Sequence, residues 1–172
     1  MNEPSTLTTD RLSISPLTEN DNHFIFELVN TDGWLTFIGN RNVASPVGAS
    51  DYIVKILENE NVTYWVAKLK ENQTPIGVVT FIQRDYLEHP DIGFAFLPDF
   101  SGKGYAYEAT RAVLHDLIQH HQLTHILATT IPENVRSIQL LKKIGLSFQQ
   151  EMERENEKSH VYGAPTQEVY HR

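Results

Sequence analysis

The chain contains no cysteine. That excludes a disulfide framework, a thiolate zinc site and a cysteine nucleophile. No apolar run approaches the ~18 residues that a membrane-spanning helix requires. Nothing in Met1-Asn2-Glu3-Pro4-Ser5 resembles the basic and apolar regions of a secretory signal. A cytoplasmic location with no membrane partner is the expectation. Basic residues are in the minority, with 14 Lys and Arg against 22 Asp and Glu and a formal net charge of −8. They form no stripe, so nucleic acid is not an expected ligand. Repeats, low-complexity segments and linkers are also lacking. A hydrophobic content of 40% with evenly spread charge excludes a disordered chain. The 172 residues predict one domain over 1–172, its core covering about 8–170. A net negative field opposes an anionic ligand and favours a cationic one, so any bound anion must be held by local donors.

Periodicity supplies the elements. Arg11 to Ser15 alternates as a first strand, and Thr18 to Asp21 starts a helix whose apolar face is Phe24, Ile25, Leu28 and Val29. Gly33 to Ser50 is rich in Gly, Asn and Pro and is expected to be irregular. Asp51 to Glu58 reads as a short helix with Tyr52, Ile53, Ile56 and Leu57 on one side. Thr63 to Leu69 and Ile76 to Ile82 form a hairpin around Glu71-Asn72-Gln73-Thr74. Asp91 to Leu97 is a nearly continuous apolar strand, which predicts burial on both faces. A helix follows, then a strand over His125 to Thr130, a second helix behind Pro132 that stops at Gly145, and two strands. Those strands are Leu146 to Met152 and roughly Val161 to Tyr170, joined by the polar turn Glu153 to His160. The order βααβββαβαββ predicts an α+β, three-layer α/β/α domain with a mixed sheet.

The most informative stretch is Ser101-Gly102-Lys103-Gly104-Tyr105-Ala106, between the apolar strand and a helix with Ala106, Ala109, Val113, Leu114, Leu117 and Ile118 at helical spacing. A glycine loop at a helix start offers unpaired N–H groups and the positive end of the macrodipole. Such a mouth accepts phosphate. A Walker loop needs four residues between its glycines, and here there is one. A dinucleotide fingerprint needs glycine at position 107, which is Tyr107. Without a second motif, the glycines equally serve a tight strand-to-helix turn.

The second motif is Asn134-Val135-Arg136-Ser137, continuing to Lys143-Ile144-Gly145-Leu146. The pair, in this order and separation, resembles the GNAT superfamily of acyl-CoA-dependent N-acyltransferases. It looks most like the branch of ribosomal-protein N-terminal acetyltransferases. The family's Arg/Gln-x-x-Gly-x-Gly/Ala loop is matched at Gly104 and Ala106, with Ser101 where Arg or Gln is usual. Its later pattern is matched at Asn134, Ser137, Lys143 and Gly145, with Leu146 in place of Phe. The resemblance extends from Thr9-Asp10-Arg11-Leu12 to the last strand.

The resemblance implies a mostly antiparallel sheet with a splayed central strand pair, acetyl-CoA as acyl donor, no metal, and an amine acceptor. Ser101, Gly102, Lys103, Gly104, Tyr105 and Ala106 then face the pyrophosphate, and Phe94 and Phe96 lie beside the pantetheine arm. Lys103 either adds a charge-assisted contact or is a solvated loop lysine. Asn134 either bonds the pantetheine or caps its helix. Ser137 is the donor to the departing thiolate in this branch; a helix serine bonding its own backbone is the alternative. Many relatives outside the branch carry a tyrosine acid where this chain has Leu141. Asp91 matches the family's carboxylate and is the candidate base, through water, against the reading of a plain edge-strand aspartate. Glu88 and His89 are nearby substitutes. A backbone N–H near Phe94 or Phe96 can polarise the thioester oxygen.

The acceptor's own basicity matters. A free α-amine is deprotonated at pH 7 for about 1 kcal/mol, a lysine side chain for roughly 4–5 kcal/mol. A protein N-terminal α-amine or a small amine is therefore the expected acceptor. An antibiotic or polyamine acceptor, and a catalytically silent acyl-CoA-binding domain, remain as alternatives. Trp34, Phe37, Asp51 and Tyr52 are either pocket walls or core. His120 and His121, adjacent at a helix end with His125 close by, point in different directions and predict no metal site. A homodimer, the commonest closed assembly, is the expected oligomer.

Overall fold

Leu12 and Ile14 are fully buried in β2 (Leu12–Pro16), as their alternation predicts. The computed structural model describes residues 4–169, so Met1 to Glu3 and the predicted strand end at Tyr170 lie outside the described residues. A two-residue strand β1 (Leu7–Thr8), too short to show a period, pairs with β2. Thr18 starts the next turn by donating its N–H to Asp21 Oδ2 at 2.8 Å. Helix α1 (Asn22–Val29) then buries Phe24, Ile25, Leu28 and Val29.

The expectation of irregular backbone over Gly33 to Ser50 is corrected. The segment holds most of α2 (Asp32–Phe37) and the first turn of α3 (Pro46–Glu58). Thr31 Oγ1 accepts from the Trp34 N–H at 3.3 Å, and Ser45 Oγ accepts from Gly48 at 3.0 Å. Pro46 sits in the opening turn, where its missing N–H would have had no intrahelical acceptor. Residues that read as breakers are therefore the cap of a longer helix. That helix buries Ala49, Ile53 and Ile56, whereas Leu57, expected on the same side, is 52% exposed.

Strands β3 (Val62–Leu69), β4 (Pro75–Ile82), β5 (Asp91–Phe96), β6 (His125–Thr130), β7 (Ser147–Arg154) and β8 (Glu157–Pro165) complete an eight-stranded sheet of order β1-β2-β3-β4-β5-β6-β8-β7. All neighbours are antiparallel except β5 and β6. The last hairpin is longer than expected. It turns at Glu155 and Asn156, both at positive φ, rather than over Glu153 to His160. After Pro165 the chain enters a short helix, α6 (Thr166–Val169), instead of continuing as strand.

Helices α4 (Tyr105–His120) and α5 (Val135–Lys143) cover one face of the sheet, with Val113, Leu114, Leu117 and Leu141 packed on Leu12, Trp65, Ile76 and Ile92. The other face is covered by α1, α2 and α3, whose Ile25, Trp34 and Ile53 pack with Val66 and Val78. The architecture is thus helices on both sides of a mostly antiparallel mixed sheet, as the element order predicts. Strand β4 is buried almost throughout. Strand β5 is not buried on both faces as its apolar run suggests: Asp91 and Ile92 are buried, while Gly93 to Phe96 are only half-buried. No helix among the described residues is long and apolar enough to cross a membrane.

Gly77 on β4 pairs with Phe96 on β5, and the phenyl ring lies over the glycine. A Cβ there would stand 2.3 Å from the ring and 2.4 Å from its root carbon. Gly77→Ala should destabilise the fold by about 1–3 kcal/mol through overpacking, read as a lower urea midpoint at unchanged slope. An unshifted midpoint would show that the ring moves aside freely.

Candidate active site

Strands β5 and β6 share one ladder pair, Asp91 with Leu127, supported by the Leu127 N–H donating to Pro90 O at 3.0 Å. From Ile92 onward the β6-facing edge of β5 has no ladder partner. The splay expected between these strands is therefore present. Phe94 and Phe96 lie half-buried along this parting strand, on the face that carries α4 and α5.

The open end of the gap leads to the glycine loop. Gly102 (φ +74°) and Gly104 (φ +84°) are both left-handed, a conformation that side-chain-bearing residues rarely adopt. Gly104 is the N-cap of α4, and no side chain caps the helix. The first α4 hydrogen bond that returns to Gly104 O comes from Glu108 N, at 3.0 Å. The N–H groups of Tyr105, Ala106 and Tyr107 thus open the helix without intrahelical acceptors. An uncapped mouth of this kind fits a diphosphate. Ser101 uses its N–H locally, toward Pro98 O at 3.1 Å. Lys103 is exposed, with its ammonium 5.8 Å from the Phe100 ring centre.

One part of this site was not singled out from sequence. Arg11 Nε and Nη2 each reach Glu108 Oε2 at 2.7 Å, and its Nη1 donates to Lys103 O at 2.9 Å. Its guanidinium stacks 4.2 Å from the Tyr105 ring centre. Thr9 Oγ1 adds a bond to Glu108 Oε1 at 2.7 Å. Arg11 therefore holds the loop from outside and neutralises an acid in the first helical turn, which would otherwise repel an anion. The Arg11 to Glu108 separation in sequence hides the pair from any local pattern.

At the far side of the gap, Asn134 Oδ1 accepts from the Ser137 N–H at 3.3 Å, so Asn134 caps α5. Its amide nitrogen is left as a donor. Ser137 is half-buried one turn into α5. Its hydroxyl makes no hydrogen bond to its own helix among the described residues, unlike the back-bonding alternative.

Asp91 is 2% exposed and ion-paired through Oδ2 with Arg84 Nε. Burial pushes its carboxyl up, more than the Arg84 charge pulls it down. For Arg84 the balance is the reverse: burial lowers its pKa, and the charge and hydrogen bond of Asp91 raise it further. Asp91, Gly93, Thr80 and Tyr64 share the sheet face that carries α1 to α3, linked by the register Tyr64–Thr80–Gly93. The Tyr64 phenol is pushed far up, first by burial and then by the neighbouring Tyr52 phenol. Of the other expected wall residues, Trp34 is buried, Phe37 and Asp51 are exposed, and Tyr52 joins this cluster. Glu88 is exposed, and His89 stacks on His125 with ring centres 4.5 Å apart. Among the described residues no three His, Asp or Glu side chains are grouped to hold a metal ion.

Residues 11–147 match the acetyltransferase (GNAT) domain family. The chain belongs to that family. A Bacillus subtilis relative, the uncharacterized N-acetyltransferase YnaD, is 30% identical over 141 residues, 81% of each chain. The ribosomal-protein-S5-alanine acetyltransferase of Vibrio fischeri superposes with a TM-score of 0.80 at 18% identity, covering 95% of this chain and 97% of that one. The aminoglycoside acetyltransferase AAC(6')-Ib, solved with coenzyme A, gives 0.78 at 22% identity, with coverage of 92% and 97%. Proteins with such different acceptors share the fold almost equally, so membership in the superfamily is established and the branch is not.

The Glu108 carboxyl carries a testable pH signature. Burial raises its pKa, but hydrogen bonds from Thr9 and Arg11 outweigh that and hold it below its ordinary 4.5. The unfolded chain then binds the proton first as pH falls, so this stabilisation is complete above 4.5 and is lost in more acid solution. The gap in Tm between wild type and Glu108→Gln should narrow as pH drops from about 6 to about 3. A pH-independent gap would mean that the charge contributes nothing.

Proposed function

We propose that this single domain is an acetyl-CoA-dependent N-acetyltransferase acting on a free amine, by direct attack without an acyl-enzyme. The observation that carries it is the parting of β5 and β6 beside an uncapped helix start at the end of the same strand. When bound, acetyl-CoA supplies the activated acyl thioester. The N–H groups at Tyr105 to Tyr107, exposed by Gly102 and Gly104, bind its diphosphate, with Ser101 and Lys103 at the loop's rim. The unpartnered edge of β5, from Phe94 to Phe96, and the Asn134 amide nitrogen orient the pantetheine arm. A strand edge that lacks a ladder partner inside a sheet needs such amides or water to satisfy it.

Ser137, half-buried in the first turn of α5, supplies the proton at Oγ that a departing thiolate needs. Asp91 accepts the proton of the incoming amine through water. Burial, which raises its pKa, makes the carboxylate a better base than an exposed aspartate. An α-amine or small amine with modest basicity suits a base of that strength. The motif at Asn134 and Ser137 supports the N-terminal-acetyltransferase branch, in which this serine is the acid.

Release of free thiol from acetyl-CoA, followed with a panel of amines, tests the proposal. Thiol that appears only with amine present supports an enzyme; CoA binding without turnover by any amine would make the domain a silent binder. Gly104→Asp should abolish CoA binding in calorimetry, because a carboxylate then occupies the phosphate nest. Unchanged affinity would refute the placement. Ser137→Ala should lower kcat by about 10²-fold or more while CoA affinity stays within a few-fold. A loss confined to affinity would make Ser137 structural.

A further inference from the structure

Strand β4 is buried almost throughout, and Thr80 is its one polar side chain. Thr80 is 9% exposed. The register sets it between Tyr64 of β3 and Gly93 of β5, on the face that carries α1 to α3. The flanking rows on that face are Val62–Ile82–Asp91 and Val66–Val78–Ala95, so Thr80 and Asp91 are diagonal neighbours. Gly93 has no left-handed backbone that would call for glycine. What excludes a side chain there is the threonine: a Cβ on Gly93 would stand 2.6 Å from Thr80 Oγ1. The hydroxyl thus leans over β5, beside the edge that has no ladder partner. Among the described residues it forms no hydrogen bond, and unlike Thr110 Oγ1 it is not sealed from water. Asp91 presents the same combination. Arg84 engages its Oδ2, while Oδ1 has no partner among the described residues and is likewise not sealed.

A hydroxyl without a partner on a buried strand is costly unless something comes to meet it. Diagonal neighbours on an antiparallel pair stand about 7–8 Å apart, and side chains that lean together close part of that distance. Such a separation suits one water bonded to both oxygens. We propose that Thr80 holds the water through which Asp91 takes the proton of the incoming amine. The proposal rests on the transferase function above and adds a positioning residue to it. The water donates one hydrogen to Asp91 Oδ1 and the other to Thr80 Oγ1. A lone pair of its oxygen is then aimed at the amine N–H, beside the open edge of β5. As the amine nitrogen bonds to the thioester carbon and the carbon–sulfur bond breaks, the N–H proton passes to this water. The water's own proton passes to Asp91, and the thiolate takes its proton from Ser137. Thr80 neither gains nor loses a proton; it keeps the water turned toward the amine. Gly93 is glycine so that this hydroxyl can reach across.

The test replaces the hydroxyl by a methyl group of the same shape. Thiol release is followed at saturating acetyl-CoA with a short unblocked peptide, an amino acid and a diamine, and the variants are compared on whichever reacts fastest in wild type. Thr80→Val should lower kcat by about tenfold, and Thr80→Ser should recover most of that loss. CoA affinity in calorimetry should stay within a few-fold of wild type in both. Because the hydroxyl bonds nothing in the fold, the Tm of Thr80→Val should equal or exceed that of wild type. That separates a lost water from a damaged sheet. A Tm lowered by the valine would make the hydroxyl structural and overturn the assignment. So would an unchanged kcat in Thr80→Val, a Thr80→Ser variant as slow as the valine, or a loss confined to CoA affinity. Each of these outcomes leaves the transferase function standing, because wild type still releases thiol with amine. No turnover by wild type with any amine would overturn both.

Discussion

After Asp91 and Leu127 have paired, β5 and β6 have no further ladder in common, and the molecule is arranged around that parting. A strand edge left open in the middle of a sheet is unusual, because backbone groups without partners are costly when water is excluded. Here the half-buried Gly93 to Phe96 keep the edge reachable. Helix α4 begins where that edge ends, so two sets of free N–H groups, one along a strand and one at a helix mouth, line a single path. Neither set alone specifies a ligand; together they fit a long molecule with a charged head and an amide-bearing arm.

Two ion pairs bracket the path and work differently. Arg11 with Glu108 is partly exposed and fixes the loop to the far edge of the sheet, so its value is positional. Arg84 with Asp91 is largely buried, and breaking it by removing one partner would strand a charge. The first offsets the charge of an acid in the opening turn of α4. The second draws the pKa of a buried carboxyl back toward its ordinary value, although burial still leaves it raised. Charge on this protein is therefore organised by place rather than by total.

The glycine loop and the α5 cap were legible because they are local. Gly102 and Gly104 announce a left-handed turn, and Asn134 three residues before Ser137 announces a helix cap, with no knowledge of tertiary contacts. The surroundings of Asp91 were not. Tyr64, Arg84 and Asp91 form no motif, and only the Tyr64–Thr80–Gly93 register brings Tyr64 and Asp91 to one face. Arg84, across a turn from Asp91, was the one hint, since hairpin neighbours of opposite charge commonly pair. The helical start at Pro46 was misread because proline and glycine punctuate loops and helix caps alike. Whether Ser45 accepts from Gly48 decides between the two, and composition does not show it. The final hairpin lies where its polar stretch predicts, but its turn is tighter: Glu153 to His160 read as loop, although all but Glu155 and Asn156 pair on strands that face water.

The sheet is, in effect, two leaves, β1 to β5 and β6 with β8 and β7, stitched at one backbone rung and otherwise joined by the helices laid across them. Stiffness passes poorly from leaf to leaf through so few stitches. Under the proposed function, an amide-bearing arm seated in the seam would supply the missing rungs, so that it would firm the floor on which the second molecule lands and each would tighten the other's grip.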